Sequence, residues 1–175
     1  MQSLSIQPYL TEEQIKKKVT EIGKALTEKF RDKEVVAICV LKGSFVFYSD
    51  LIRSIDTDVQ CEFFGVSSYS GASSSGEVKV TLDLANPIEG KHVLLVEDIV
   101  DTGITMNYLR NAILTRMPKS LTTVALLEKP EALKVPCPLD HVGFQISNEF
   151  VVGYGLDYEG YYRNLPFIGQ VQNFQ

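Results

Sequence analysis

Residues 93–105 read VLLVEDIVDTGIT. Four apolar residues run into the acid pair Glu97-Asp98. A short apolar step leads to Asp101-Thr102-Gly103, and an apolar-periodic stretch follows. This is a buried strand, His92 to Val96, ending in a loop that opens a helix over Ile104 to Arg116. In open parallel sheets, ligands lie at the carboxyl ends of the strands. A helix start offers unpaired N–H groups and a positive dipole end, which suit a phosphate. Thr102 and Thr105 add hydroxyls, and Gly103 lets a ligand approach the backbone closely. Three carboxylates beside a phosphate cradle make chemical sense if they hold sugar hydroxyls and work with Mg²⁺. The plainer alternative is that Asp101 or Thr102 only caps the helix while the other acids are solvated.

Working outward, the same alternation recurs. Thr11-Glu12-Glu13-Gln14 fits a capping box. Ile15, Val19, Ile22, Leu26 and Phe30 then return every three or four residues, as on an amphipathic helix. Val35 to Leu41 is a short continuous apolar run, the mark of a strand buried on both faces. Lys42-Gly43-Ser44 breaks it, and a second amphipathic segment runs from Ser44 to Ile55. Val59, Cys61 and Phe63 alternate with polar residues, as do Val78, Val80 and Leu82. Between these strands lies a serine-rich stretch with little to bury, expected to be a mobile loop over 67–77. Asn86-Pro87 marks a turn. Leu121 to Leu127 is the next strand, followed by a loop with Pro130, Pro136 and Pro138. Short β pieces are expected at His141 to Ile146 and Phe150 to Val152, before an aromatic tail. The fold class is α/β, with a mainly parallel central sheet flanked by helices. Its 175 residues form a single domain.

Composition narrows the function. Apolar residues make up 45% and charged residues 22%, and the net charge is −5. With a pI near 5.1, general nucleic-acid or membrane-surface binding is disfavoured, while a phosphorylated small ligand is not. No apolar run reaches the length of a membrane span, and no secretory signal is visible. Cys39, Cys61 and Cys137 have no zinc or disulfide spacing and are expected to be reduced, cytoplasmic thiols, mostly in the core. His92 and His141 are placed at strand starts without a chemical role.

The stretch VEDIVDTGIT resembles the phosphoribosyl diphosphate (PRPP) motif of the type I phosphoribosyltransferases. Three further stretches match that family in order: LKGS at 41–44, SSYSGASSSGEVKV at 67–80, and LLEKP at 126–130 with FVVGYGLDYEGYYRNLP at 150–166. Over nearly its whole length the chain is similar to bacterial hypoxanthine-guanine members of the family. The resemblance implies a small base-binding hood built from the terminal segments, and purine salvage: Mg²⁺-dependent transfer of the 5-phosphoribosyl group from PRPP to N9 of hypoxanthine or guanine, giving IMP or GMP and pyrophosphate. It implies that Glu97 and Asp98 hold the ribose hydroxyls and metal. Asp101 is the base near N7, and Thr102, Gly103, Ile104 and Thr105 hold the 5′-phosphate. Lys42, Gly43 and Arg163 serve pyrophosphate, with a non-proline cis peptide at Leu41-Lys42. Ser68 and Tyr69 belong to a flexible catalytic loop that shields the reacting carbon from water. Lys129 reads the 6-oxo group, Phe150 stacks on the base, Val151 gives backbone contacts, and Asp157 reaches a second Mg²⁺. Two positions depart: Ile104 stands where some relatives carry lysine, and Ser44 where many carry a second glycine.

Family members form dimers and tetramers, so a homodimer or homotetramer is implied. Xanthine as preferred base, and a PRPP-binding gene regulator on the same fold, stay open, although a regulator calls for a basic nucleic-acid face. A phosphorylated receiver domain, suggested by HVLLVED, fails on position. Only 77 residues follow Asp98, whereas 91 precede His92.

Overall fold

The computed structural model describes residues 4–68 and 78–172. Its centre is a six-stranded sheet in the order β4-β3-β2-β5-β6-β7. These strands are β2 (Val35–Leu41), β3 (Val59–Ser68), β4 (Val78–Leu82), β5 (His92–Val100), β6 (Ser120–Glu128) and β7 (His141–Gln145). All neighbours are parallel except the edge strand β4, which pairs antiparallel with β3. The apolar run predicted as a doubly buried strand is β2, and the buried strand at His92 is β5; with β6, the strand expected at Leu121 to Leu127, they form the middle of the sheet, where helices cover both faces.

One face carries α1 (Glu12–Phe30) and α2 (Phe45–Arg53). The capping box forms as predicted: Thr11 Oγ1 accepts from Gln14 N at 3.2 Å, and Gln14 Oε1 accepts from Thr11 N at 2.8 Å. Ile15, Val19, Ile22, Leu26 and Phe30 all point into the core. The other face carries α3 (Ile104–Leu114), buried through Met106, Leu109 and Ile113. Burying the apolar stripes of the three helices on both faces of the sheet is the main favourable contribution to folding.

A second sheet, in the order β1-β9-β8, joins β1 (Ile6–Leu10), β8 (Val151–Val152) and β9 (Ile168–Val171). It ties the start of the described chain to its end, with Ile6 opposite Val171. Neither β1 nor β9 was expected from local pattern. Pro8 and the bulge between Pro8 and Leu10 spoil the alternation of β1, and β9 is only four residues long.

Two readings change. The alternation Val59, Cys61, Phe63 marks the strand but not its buried face, since Glu62 and Phe64 are the buried pair. Glu62 is satisfied there by Ala85 N and by Asn86 Nδ2. Phe63 stands at the rim of the α1/α2 layer and touches only the edge of the core, its ring 5.9 Å from that of Tyr48. Cys61 is accordingly exposed, whereas Cys39 and Cys137 are buried. Burial pushes the Cys39 thiol up to about 11, so it stays a neutral packing group. His92 and His141 do open strands.

Candidate active site

Strand β5 extends to Val100, so Glu97 and Asp98 lie within its last turns of pairing and not beyond it. Glu97 still pairs with Ala125 of β6. Holding this acid in a strand still paired with β6, one residue past the last pair with β2, fixes its position. Glu97 is 8% exposed. Burial, followed by the charge of its neighbour Asp98, raises its pKa well above the ordinary carboxylate range. Burial pushes Asp98 up to about 6, against the N–H of Ile99, which donates to Asp98 Oδ1 at 2.8 Å. Two adjacent acids that are costly to ionise without a cation form a demand for one.

Asp101, Thr102 and Gly103 form the bend between β5 and α3. Gly103 is the N-cap of α3, with φ +79. Neither Asp101 nor Thr102 therefore occupies the capping position, and Thr102 Oγ1 lies at the long distance of 3.4 Å from Ile104 N. A side chain at 103 would be strained by that φ and would press on Val135 O at 2.9 Å and Cys137 Cβ at 3.0 Å. The proline-rich loop braces the bend: Lys134 N donates to Thr102 O at 3.0 Å, and Asn107 Nδ2 donates to Pro136 O at 2.8 Å. The opening N–H groups of α3 have no partner within the helix. Gly43, Glu97, Asp98, Asp101, Gly103 and Thr105 line one cleft of about 220 Å³, together with Thr102 and apolar residues, mostly of β2 and β5. Ile104 starts the helix outside this lining.

The Leu41-Lys42 peptide is cis. Lys42 is exposed, and Gly43 lies against the acid pair: a Cβ there would fall 1.6 Å from Asp98 Oδ2. Ser44 is fully buried in αR conformation. Its hydroxyl donates to Val40 O and meets Cys39 Sγ, so a side chain is accommodated where a second glycine is common.

Lys129 follows β6 as Asp101 follows β5. The register pairs Val100 with Glu128, which brings Lys129 Nζ to 4.0 Å from Asp101 Oδ2. Phe150 precedes β8 and meets Tyr158 edge-on at 5.9 Å. Val151 is buried opposite Gln170. Asp157 pairs with Arg163 at 2.6 Å, and both charges reach Asp98. Arg163 does not line the cleft. Its Nη1 donates to Gly155 O at 2.6 Å, and it lines a separate cavity between α1, α2 and residues 154–166. Ser68 ends β3, while Tyr69 and the rest of the expected loop to residue 77 lie outside the described residues.

Sequence reasoning missed Asp50, Tyr154 and Gly155. Tyr154 OH donates to Asp50 Oδ2 at 2.6 Å, and a Cβ at Gly155 would lie 2.1 Å from Gly43 O. The available signal was the Gly-Tyr-Gly run at 153–155, a place for positive φ.

The phosphoribosyl transferase domain family matches residues 5–159. The chain belongs to the phosphoribosyltransferase family. It is 45% identical over 174 residues to a hypoxanthine-guanine phosphoribosyltransferase of Dictyostelium discoideum, covering 97% of each chain. To the hypoxanthine-guanine phosphoribosyltransferase of Bacillus subtilis it is 48% identical over 161 residues, covering 91% of this chain and 89% of that one. Among solved structures, a hypoxanthine phosphoribosyltransferase of Staphylococcus aureus superposes with a TM-score of 0.91 at 44% identity, over 98% of this chain and 96% of the other. The six-stranded sheet with its three helices is thus the type I phosphoribosyltransferase fold, and the chain is a phosphoribosyltransferase. Among the described residues, no helix of this phosphoribosyltransferase is long and apolar enough to cross a membrane.

Proposed function

We propose that this phosphoribosyltransferase serves purine salvage in the cytoplasm, moving the 5-phosphoribosyl group of PRPP to N9 of hypoxanthine or guanine, with IMP or GMP and pyrophosphate as products. The observation that carries the reading is the single cleft in which the buried pair Glu97-Asp98, the glycine bend opening α3 and the Gly43 backbone meet. The bend residues 102–105 suit the 5′-phosphate through backbone N–H groups and two hydroxyls. Gly43 leaves room for pyrophosphate beside Asp98, with Lys42 as a nearby cation.

The rest of the chemistry follows from where the purine would lie. Asp101 is exposed, 53% of its side chain, and free to take the ring proton at N7 as N9 attacks. Lys129, 11% exposed, donates to the 6-oxo oxygen and holds the ring in register with Asp101. Phe150 stacks on the base, and the Val151 backbone meets its edge. Ser68 and Tyr69 belong to a loop that keeps water from the reacting carbon.

Mg²⁺ suits the donors. Glu97, Asp98 and Asp157 are hard oxygen ligands, and the raised pKa of the first two is relieved by a cation. Among the described residues no three acidic, His or Cys side chains converge on one point, which suits an ion that keeps water and substrate oxygens in most positions. When bound, Mg²⁺ neutralises the departing pyrophosphate.

Self-association as a dimer or tetramer is supported by Phe45 and Phe63, each 44% exposed on the same side of the molecule as α2. The mass in solution tests it. The reaction is tested by turnover with PRPP, Mg²⁺ and each of hypoxanthine, guanine, xanthine and adenine. Release of pyrophosphate with hypoxanthine or guanine is expected. Xanthine as the sole good base reassigns the substrate, and binding of PRPP without turnover leaves a regulator.

A further inference from the structure

Gly153, Tyr154 and Gly155 have φ values of +98, +49 and +101. The two glycines adopt this region freely, but a tyrosine does not. Something must hold Tyr154 there. Its ring is buried, and its hydroxyl reaches Asp50 in the middle of α2, 104 residues away in sequence. The backbone on either side is tied down as well: Tyr154 N donates to Leu165 O at 2.9 Å and Gly155 N to Arg163 O at 3.0 Å. In return, Arg163 grips Gly155 O and Asp157. Gly155 in turn lies directly on Gly43 O. Behind this arrangement is an open groove of about 720 Å³ that Asp50, Tyr154 and Arg163 line. The Tyr154 ring packs into the core beside this groove, and the Asp50–Tyr154 hydrogen bond ties the loop to α2 at its edge.

We propose that Asp50 and Tyr154 are positioning residues for the pyrophosphate end of the site, pinning the Gly155–Arg163 clamp onto Gly43 from behind. This rests on reading residues 42–43 as the pyrophosphate end. Neither residue lines the cleft, so neither touches the reacting atoms. At the purine end, Asp101 and Lys129 are set by the pairing of β5 with β6, and Phe150 and Val151, though next to the clamp in sequence, are held by the pairing of β8 with β9, so this end depends less on the Asp50–Tyr154 bond. The expected signature is accordingly split between substrates.

The test is steady-state kinetics in both directions on Tyr154→Phe, Asp50→Ala and Asp50→Asn, with melting temperatures alongside. Tyr154→Phe keeps the ring and loses only a hydrogen bond to a charged acceptor. It should raise KM for PRPP, and for pyrophosphate in the reverse reaction with IMP, about ten-fold, with KM for hypoxanthine and kcat within about two-fold. Asp50→Ala also releases Arg53, an exposed partner of Asp50 that does not touch the clamp, so it should raise the same two KM values by a similar factor, and the double variant should be no worse for them than either single one, because both lose the same Asp50–Tyr154 bond. Asp50→Asn keeps an oxygen that accepts from the hydroxyl and should stay within about three-fold of wild type. Equal rises in KM for PRPP and hypoxanthine would mean a general loss of structure and overturn the proposal. So would an unchanged KM for pyrophosphate in Tyr154→Phe beside an active wild type, which leaves the assigned reaction standing. A wild-type protein that never uses pyrophosphate overturns both.

Discussion

Lys129 Nζ stands 4.0 Å from Asp101 Oδ2, each residue the first beyond its own strand, because β5 and β6 pair Val100 with Glu128. A donor-only cation and an acceptor carboxylate are thus set side by side, matching the 6-oxo and N7 edge of a purine. Adenine would turn an amino group toward the lysine. Its kcat/KM should fall at least about 10³-fold below that of hypoxanthine. Lys129→Gln, whose amide can donate or accept, should lower hypoxanthine activity and shrink the ratio at least ten-fold. Measuring kcat/KM for both bases on both proteins decides it, and an unchanged ratio removes Lys129 from base recognition.

Asp101→Asn keeps the shape of the bend and removes the proton acceptor. A fall in kcat of about 10²–10⁴ is expected, with PRPP affinity little changed, because the glycine bend at 103 does not depend on the carboxylate. Single-turnover rates with binding measured separately check this.

Gly43→Ala puts a methyl group where Asp98 Oδ2 now lies, 1.6 Å from the added carbon. The carboxylate must swing away. Stability should drop by about 1–3 kcal/mol, as in other overpacked sites, and kcat/KM for PRPP should fall by more than ten-fold on loss of a positioned charged group. A variant with normal PRPP kinetics would show that Asp98 need not be where it is.

Asp98 sits at about 6 against an ordinary 3.8 because burial opposes its charge. The folded protein therefore binds this proton more tightly than the unfolded chain does. Its contribution to stability is full below about pH 3.8, declines as pH rises, and is lost above about 6. Glu97 acts in the same sense. Asp98→Asn should melt higher than wild type at pH 7.5 and by a smaller margin at pH 5, without added metal. Thermal melts across that range test the sign, and a margin that grows toward acid contradicts it.

Thr11→Ala removes the hydroxyl that accepts from Gln14 N. About 1 kcal/mol of stability should go, or about 2–4 °C in melting temperature for a chain of this size, with turnover untouched. A loss of turnover at equal folded fraction would tie α1 to the chemistry.

The parts legible in sequence are those written into short stretches. The capping box of α1, the unbroken apolar runs of β2 and of the first part of β5, the mostly apolar run of β6, and the acid pair with its glycine bend each lie within a dozen residues, and periodicity or spacing reveals them. What stayed hidden depends on pairing across the chain. β1 and β9 are too short and irregular to show alternation. Glu62 faces inward because Ala85 and Asn86 come to meet it, which no property of β3 announces. Asp50 and Tyr154 find each other only after α2 and the loop 153–165 have been laid together. The family resemblance named Arg163 and Asp157 but not their pairing, nor the Gly155 carbonyl that Arg163 also grips, which leaves no trace in residue type.

The β1–β9 pairing has a bearing on synthesis. On the ribosome, residues 6–10 emerge long before residues 168–171, and β1's hydrogen-bonding partner in the second sheet is β9. The six strands of the main sheet are all translated by Gln145, so the nascent chain can assemble the acid pair and the glycine bend while β1 still has no mate. Tyr154, Gly155 and Arg163 arrive later, and the closing β9 later again. The order of translation thus separates a core that can fold early from the Gly155–Arg163 loop that cannot, and a truncated product would carry the first without the second.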